Sequence, residues 1–402
     1  MVRVLLLFLQ AQESEHVIGA ERTGRERIPL LHRRLLSWKG SASGAGVIGC
    51  EAGDIEMRIN IMHSKWSSHA MIAEWLADAF MRKGHEVTVY ARDWHKFKSI
   101  EGEIIFIGGE PRLLSYLNAC RLYRRKALYW IDFFVFRSFM SYKIQEKEYR
   151  ALGGKLVCCS NTEREYLEEA GITVDAVIPR CVSNDAFNYK WIGLEDDDWT
   201  GMKKEVKKEV LSIGFTDYRR DNRIYCSIKP PKELDNVTRK GHELLVEFAS
   251  NNPDWNVKLV TSTKELSKAI SIPELSNLEL IEAGTLTQEQ KYELIANTGV
   301  FCLPTRLDSN PLVVMEAQAI GTPTCYTALP PLVEMGGGFE IPVREIYWYP
   351  SGLYLAVIEY GELEKVIEKT RIFADAISGF GRMNARKYKA SVVADKLLEV
   401  LE

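Results

Sequence analysis

Short apolar runs alternate with longer amphipathic segments from Met57 to the end of the chain. The apolar runs are typical of buried parallel strands, and the amphipathic segments between them are typical of helices. Strands are predicted at 59–62, 87–90, 104–107, 127–130, 156–159, 210–214, 257–261, 278–281, 300–303 and 324–326. Helices are predicted at 70–83, 242–249, 288–296 and 388–401. This alternation predicts an α/β protein with parallel, doubly wound sheets.

The polar segment after the predicted strand 300–303 begins a short apolar helix. Ser309 or Asn310 suits the N-cap and Pro311 suits the first helical position. Gly321 is expected to end the helix about three turns later. Because a helix start combines free backbone N–H groups with the positive end of the dipole, it is a natural seat for a phosphate. The sequence therefore predicts an anion site at this helix start.

Two carboxylates flank that helix start. Asp308 precedes it, and Glu316 is expected roughly 7–8 Å along the helix axis at about 1.5 Å per residue. A carboxylate at that depth can accept hydrogen bonds from ribose hydroxyls while a diphosphate occupies the helix start. Asp308 can bind hydroxyls of a sugar on the other side of the phosphates. This spacing fits a nucleotide-sugar diphosphate.

The segment from Asp308 to Pro323 resembles the nucleotide-sugar signature of the retaining GT-B glycosyltransferases, the glycogen-synthase-like and lipopolysaccharide-type group 1 enzymes. That signature reads Glu, seven residues, Glu, then Ala-x-Ala-x-Gly-x-Pro. The chain matches it at Glu316, Ala317, Ala319, Gly321 and Pro323. It departs at the first acid, which is Asp308, and has Ser309-Asn310-Pro311 in place of Gly-Phe-Gly.

The resemblance covers nearly all of residues 57–402 and implies two facing Rossmann-like domains with a cleft between them. Lys83 to Val89 resembles the first βαβ unit of the family, and Ala176 to Val182 resembles the end of its first domain. In the second motif, Arg180 and Cys181 stand where the family has Asn and Gly. The predicted divisions are a poorly ordered extension at 1–56, an acceptor domain at 57–190, a linker at 191–208, a nucleotide-sugar domain at 209–385, and a helix at 386–402 that braces the first domain.

The resemblance also implies cations for the diphosphate. In the family a Lys-Gly pair follows an Arg a few residues upstream, and Lys240 with Gly241 matches that pair. The partner Arg has three alternatives, Arg239, Lys229 and Arg219.

Further contacts are implied by position. The donor-binding candidates besides Arg239 are the backbone around the helix start and the loop beside the base: Ser309, Asn310, Pro311, Leu312, Gly284 and Thr285. The acceptor-cleft candidates are Ser67 and Ser68, in the loop after the first strand, and Asp132, after the strand at 127–130.

The function implied is transfer of a sugar, with retention of configuration, from a UDP-, GDP- or ADP-sugar to a hydroxyl of a glycan, lipid or protein. The resemblance implies no bound metal and no bound cofactor. The acidic run 195–198 resembles an Asp-x-Asp metal motif, but no apolar strand precedes it, which favours a linker. The alternatives are a nucleotide-sugar epimerase of the same fold and a catalytically silent sugar-nucleotide-binding protein.

Composition limits the partners and the location. The 402 residues carry a net charge of −3, so no bulk basic field recruits nucleic acid. The basic runs 121–126 and 382–389 are predicted to be solvated helix faces, with contact to anionic lipid as the alternative. The eight cysteines show no Cys-x-x-Cys spacing, and no stretch is long enough to span a bilayer. We expect a cytoplasmic protein, with peripheral contact at the inner face of a membrane as the alternative.

Overall fold

The computed structural model describes residues 57–63, 67–91, 101–108, 127–131, 146–148, 150–193, 206–214, 237–348 and 354–402. Several predictions lie outside these residues: the N-terminal extension, Asp132, the acidic run 195–198, and the alternatives Lys229 and Arg219. Ser67 begins a helix, but its side chain is also outside the described part.

The first sheet has six parallel strands in the order β2-β1-β3-β4-β5-β6. Its strands are β1 (Arg58–His63), β2 (Glu86–Ala91), β3 (Glu103–Gly108), β4 (Leu128–Ile131), β5 (Lys155–Cys158) and β6 (Ala176–Val177). Alternate residues of these strands enter two separate apolar clusters, one on each face. A sheet that is covered on both faces explains why its strands are continuous apolar runs.

The second sheet also has six parallel strands, in the order β12-β11-β10-β7-β8-β9. Its strands are β7 (Glu209–Ile213), β8 (Asn256–Thr261), β9 (Leu278–Glu282), β10 (Val300–Leu303), β11 (Thr324–Thr327) and β12 (Phe339–Ile341). A separate antiparallel pair is formed by β13 (Glu345–Trp348) and β14 (Tyr354–Val357). The prediction of parallel, doubly wound sheets is therefore correct.

Helices cover the faces of both sheets. They are α1 (Ser67–Met81), α2 (Asn161–Glu169), α3 (His242–Asn251), α4 (Thr263–Ala269), α5 (Gln288–Ala296), α6 (Leu312–Ile320), α7 (Pro330–Met335), α8 (Tyr360–Ile372), α9 (Ala374–Ala385) and α10 (Ala390–Leu401), with 3-10 turns at Asn184–Asn188 and Arg386–Tyr388. Among the described residues, no helix combines the length and the apolarity that crossing a bilayer requires.

The last helix of the chain, α10, packs on the first sheet although it follows the second in sequence. Its apolar side shares a cluster with α1 and with one face of the first sheet. Lys83 Nζ lies 2.6 Å from Asp395 Oδ1, which joins the end of α1 to α10. The chain therefore crosses between the sheets a second time near its C-terminus.

Most predicted bounds differ from the observed ones by one to three residues, and three of the differences bear on the site or the last helix. Ser68 was expected in a loop, but it lies in the first turn of α1 with an exposed side chain. Pro311 is the cap of α6 rather than its first helical residue, because its ψ of 105° is extended. The last predicted helix is divided, because Lys389 has an extended ψ of 133° between the 3-10 turn and α10.

Candidate functional site

The second sheet reverses its direction of growth between β7 and β10. From β7 the chain adds β8 and β9 on one side, and it later adds β10, β11 and β12 on the other. Loops that leave such a reversal diverge and open a crevice at the carboxyl ends of the strands, where α/β proteins bind ligands. Gly214 follows β7 and Pro304 follows β10, so these two positions mark the crevice.

The loop 238–241, which we call the lysine loop, lies against the end of β10. Gly241 has a φ of +69°, and a Cβ there would lie 2.0 Å from the carbonyl oxygen of Pro304. Thr238 donates from both its N–H and its hydroxyl to Glu243 Oε2, at 2.9 and 2.8 Å. Only glycine permits this turn and this close approach, so the Lys-Gly pair has a geometric cause.

Lys240 extends from the lysine loop across Gly214. An added Cβ at Gly214 would lie 3.0 Å from Lys240 Cγ, so the glycine leaves room for the lysine stem. The Lys240 ammonium donates to Asp308 Oδ2, and both side chains are nearly buried, at 11% and 7% exposure. Asp308 Oδ1 accepts from the Ser309 N–H at 3.1 Å. The structure thus brings together two of the predicted site residues as a shielded ion pair.

Backbone contacts join the lysine loop to the loop before α6. Arg306 N–H donates to the Arg239 carbonyl at 2.8 Å, and Arg239 Nη1 donates to the Leu307 carbonyl at 3.3 Å. Arg306, which the sequence analysis missed, bonds Glu243 Oε1 through Nε and Nη2 at 3.0 and 2.8 Å. In the sequence, only the position of Arg306 in the segment after the strand 300–303 could have indicated this role. The contacts keep Arg239 close to the ion pair and let Arg306 position the loops.

His242 begins α3 directly behind the lysine loop. Burial, together with the positive charges of Lys240 and Arg239, lowers the pKa of its imidazole to about 3. The backbone N–H of His242 donates to Thr238 Oγ1 at 2.8 Å. A histidine with this pKa is neutral at physiological pH, so it adds no positive charge to the crevice.

The amino end of α6 has no side-chain cap within the described ranges. Pro311 is the cap residue and offers no N–H, and the Val314 N–H donates to its carbonyl at 3.0 Å. Asn310 Oδ1 accepts from the Arg180 N–H at 3.3 Å rather than from α6. The amino end of α6 therefore lacks a side-chain cap among the described residues, and its positive dipole end can receive an anion.

Glu316 lies within α6 with a fully buried side chain. Lys291 Nζ donates to its two oxygens at 2.6 and 2.8 Å, and Gln288 Nε2 donates to Oε1 at 3.0 Å. Both donors belong to α5 and escaped the sequence analysis. Their spacing of three positions, which puts them on one face of the predicted helix, was the available signal. The structure does not bring Glu316 into contact with the Lys240–Asp308 pair.

The remaining donor candidates lie apart from the ion pair. Gly284 has a φ of +89° and open space around its Cα, and the Thr285 hydroxyl donates to the Glu282 carbonyl at 2.8 Å. Both follow β9, which is two strands from β7, or about 10 Å across the sheet. That separation suits the far end of an extended ligand.

A carboxylate of the second sheet's layer caps a helix of the first. Glu334, on α7, accepts from the backbone N–H groups of Asn161 and Thr162, both at 2.6 Å, and from the Thr162 hydroxyl. Within the first layer, Ser160 is the N-cap of α2 and its hydroxyl accepts from the Glu163 N–H at 3.1 Å. The Glu163 carboxylate itself bonds the Cys159 N–H at 2.6 Å, one residue before the position that a capping box requires.

The described ranges show fewer contacts that would define an acceptor site or a metal site than contacts that define the donor crevice. These ranges contain no group of three or more His, Cys, Asp or Glu side chains placed to hold a metal ion. The reversal point of the first sheet lies between β1 and β3. Ser68, at the start of α1, is near the carboxyl end of β1 in sequence, and Asp132 directly follows β4 but is outside the described ranges.

Comparison with curated proteins gives one partial match. No family model matches the chain. A stretch of 151 residues is 29% identical to an uncharacterized glycosyltransferase of Haemophilus influenzae. The match covers 34% of this chain and 41% of that protein, so it spans about two fifths of the curated relative.

Solved structures match over a much larger part of the chain. Anabaena HepE in complex with UDP-glucose has a TM-score of 0.59 at 14% identity, over 86% of this chain and 99% of that one. Sucrose-phosphate synthase from Thermosynechococcus elongatus has a TM-score of 0.59 at 11% identity, over 86% and 98%. WaaG, a glycosyltransferase involved in lipopolysaccharide biosynthesis, has a TM-score of 0.52 at 12% identity, over 86% and 99%. At these identities the likeness establishes the fold.

Proposed function

We propose that this chain, which has the GT-B fold that its sequence predicted, transfers a sugar from a nucleoside-diphosphate donor to an acceptor hydroxyl. The fold is shown by the paired parallel sheets and by the solved structures that share them. Glycosyltransferase activity is the inference, supported by the partial match to a protein of that name. Retention of configuration and the roles of individual residues belong to the same proposal.

One observation supports the proposal most directly: the uncapped amino end of α6 and the Lys240 ammonium belong to the same crevice. A pyrophosphate needs positive charge and N–H donors at one place, and this crevice offers both. The two features come from segments about 70 positions apart in sequence. Their meeting at the reversal point of the second sheet is therefore a property of the fold.

The Lys240–Asp308 pair suggests how the donor is received. In this proposal the diphosphate takes the ammonium of Lys240 as its counter-charge, and Asp308 becomes available to the hydroxyls of the transferred sugar. Exchanging one anionic partner for another keeps the nearly buried ammonium paired throughout. The same ammonium stabilises the charge that develops on the diphosphate as the glycosidic bond breaks.

Glu316 receives a ribose hydroxyl in this scheme only by exchanging one of its present donors for it. An ionised carboxylate has about four lone-pair sites, and Glu316 already accepts four hydrogen bonds, two from Lys291 and one each from Gln288 and Tyr292. Because the Glu316 side chain is fully covered, the Lys291 side chain must shift for a ribose to reach it. Gly284 and Thr285 follow β9, which lies two strands from β7. We propose that they contact the base through their backbone groups.

Retention follows if the acceptor attacks from the face that the diphosphate leaves. The acceptor oxygen forms its bond to the anomeric carbon, the bond from that carbon to the phosphate oxygen breaks, and this phosphate oxygen takes the acceptor proton. No protein side chain then has to act as general base. We propose a UDP-sugar as the first donor to test because HepE has been solved with UDP-glucose.

The decisive experiment incubates the chain with UDP-, GDP- and ADP-sugars and measures binding, donor hydrolysis and the product anomer by NMR. We expect binding and slow hydrolysis of one donor class, with retained configuration in any product. Reversible change at C2 without an acceptor would instead show an epimerase, and binding without turnover would show a silent binding protein. Repeating the assay in EDTA tests whether Lys240 and α6 supply enough positive charge without a metal ion.

Lys240→Met provides the matching genetic test. We expect turnover to fall by about 100-fold or more, in the range that loss of one transition-state donor costs. Lys365→Met is the control, because Lys365 is exposed and forms its ion pair with Glu362 within α8, away from the crevice. Near-normal turnover in a folded Lys240→Met protein would remove the lysine from the mechanism.

The acceptor and the location remain predictions. We expect a glycan, lipid or protein hydroxyl as acceptor, and a cytoplasmic protein with contact at the membrane surface as the alternative.

A further inference from the structure

Arg180 is a buried cation that lacks a carboxylate partner in the described structure. The residue is 1% exposed, and its Nη2 donates to the Trp130 carbonyl at a long 3.4 Å. Its guanidinium carbon lies 4.6 Å from the centre of the Trp130 ring. Among the residues that the structure describes, the Nε and Nη1 atoms have no hydrogen-bond partner. These two atoms carry three of the five N–H donors of an arginine.

Burying the Arg180 guanidinium in this way costs free energy unless a further partner accepts hydrogen bonds from its remaining N–H groups. A buried guanidinium loses its hydration, and stacking on an aromatic ring replaces only part of that loss. Buried polar groups in folded proteins nearly always have partners, so unsatisfied ones need a specific explanation. The partner that satisfies a guanidinium best is an oxyanion such as a phosphate or carboxylate.

The position of Arg180 limits what that oxyanion can belong to. Trp130 is the third of four residues in β4, so the stacked pair lies toward the carboxyl edge of the first sheet. The backbone N–H of Arg180 donates to Asn310 Oδ1, and this hydrogen bond connects the edge of the first sheet to the loop before α6. The guanidinium therefore belongs to the first-sheet side of the junction at which α6 begins.

We propose that Arg180 binds an oxyanion, a phosphate or a carboxylate, carried by the acceptor. The inference rests on the proposed transferase function and names its acceptor class. The donor diphosphate already has a cation and a helix end on the second-sheet side. Arg180 and its aromatic support, by contrast, belong to the first-sheet side, so the anion that reaches them comes from the acceptor. Because the guanidinium is covered by its surroundings, the acceptor enters when the side chains around the junction separate.

The first test measures binding. With UDP at saturation, inorganic phosphate is titrated into the wild-type chain, Arg180→Asn and Arg180→Lys, and the thermal unfolding midpoint is followed. Asparagine is the residue that the resembled family carries at this position, so this variant is expected to fold. We expect phosphate to raise the midpoint of the wild-type chain, to raise it less in Arg180→Lys, and to leave Arg180→Asn unchanged. Equal shifts in the wild-type chain and Arg180→Asn would overturn the proposal.

The second test measures acceptor preference with UDP-glucose as donor and three matched acceptors: glucose, glucose 6-phosphate and glucuronate. We expect one anionic acceptor to have a KM about 100-fold below that of glucose, as a charge-assisted contact provides, and Arg180→Asn to remove this preference. The preferred acceptor shows whether the anion is a phosphate or a carboxylate. The KM for UDP-glucose should change less than about threefold. A large rise in that KM instead would assign Arg180 to the donor and overturn the proposal.

The two proposals fail separately in these experiments. A wild-type chain that binds phosphate through Arg180 but binds no nucleotide sugar would contradict the transferase and leave the anion site. A chain that binds and hydrolyses a nucleotide sugar but shows no Arg180-dependent anion effect would contradict only the anion site. Circular dichroism of both variants confirms that they are folded before either comparison is made.

Discussion

The amino ends of α2 and α6 differ in whether protein side chains satisfy their backbone N–H groups. At α2, Ser160 accepts from the Glu163 N–H, and Glu334 from the other layer accepts two further backbone N–H groups. At α6, Pro311 has no side chain that can cap, and Asn310 directs its oxygen to the Arg180 N–H instead. Both helices follow the carboxyl ends of parallel strands, so each amino end attracts an anion.

The difference shows how one physical feature serves two purposes. At α2 the anion is a protein carboxylate, and the contact connects the layers of the two sheets. At α6 the described chain supplies no such carboxylate, while the Lys240 ammonium increases the positive charge of the crevice. The first end contributes to stability, and the second, in our proposal, contributes to binding. Variants that exchange charge between the two ends test this division.

Among variants of the two helix ends, the largest effect is expected from adding a carboxylate to the α6 end with Asn310→Asp. The aspartate keeps an oxygen for the Arg180 N–H but puts a negative charge where the donor diphosphate is proposed to bind. We expect the affinity for a nucleotide sugar to fall about 10-fold or more, because the added carboxylate repels the diphosphate and already occupies a helix end whose attraction for an anion is worth about 1–2 kcal/mol in a partly buried site. Isothermal titration calorimetry measures this change.

Asn161→Asp is the matched control, because it adds the same charge in the first turn of α2. We expect it to leave donor affinity unchanged, since Glu334 already occupies that end. Equal losses of affinity in the two variants would show that net charge, and not the α6 end, determines binding.

A smaller effect is expected from Glu334→Gln. The variant replaces a charged acceptor of two backbone N–H groups by a neutral one, which we expect to lower the free energy of unfolding by about 1 kcal/mol. Urea denaturation measures it. Donor affinity should remain within about twofold, because the α2 end is not part of the proposed donor site. Unchanged stability would mean that the carboxylate contact contributes nothing to holding the layers together.

The smallest effect near neutral pH comes from His242, behind the lysine loop. Its folded pKa of about 3 lies below the ordinary value of 6.5, so protons bind the unfolded chain preferentially as pH falls. The contribution to stability is complete above pH 6.5 and is lost as pH falls toward 3. We expect a loss on the order of 1 kcal/mol at pH 6 and further losses as the pH falls below it.

Urea denaturation of the wild-type chain and His242→Gln between pH 7.5 and pH 5 isolates this contribution. The variant should show a weaker dependence of unfolding free energy on pH than the wild-type chain. Parallel curves would show that His242 is not the group responsible.

Prediction from sequence succeeded where the signal was local. The strand 300–303 and the helix 288–296 were predicted at their observed boundaries. The helix begins at a capping box in which Thr287 and Gln290 satisfy each other's backbone N–H groups. Gly321 ends α6 with a φ of +91°, as a left-handed cap requires. The helix start at Pro311 was wrong by one residue, because an extended ψ makes the proline a cap.

The partners of charged side chains needed the tertiary structure. Lys240 and Asp308 were both candidates, but nothing near either in the sequence indicated that they pair. The same holds for Glu334, whose partner Thr162 is 172 positions away.

The amino-acid order by itself determined the alternation of strands and helices, the position of the α6 unit and the family that this unit resembles. These properties depend on periodicity, caps and turns, which act over a few residues. The tertiary structure decided which helix end is filled, which cation each carboxylate meets and that Arg180 is buried with no counter-ion in the described part of the chain. Those outcomes depend on how the two sheets place distant side chains within a few ångströms of one another, and no local pattern encodes such distances.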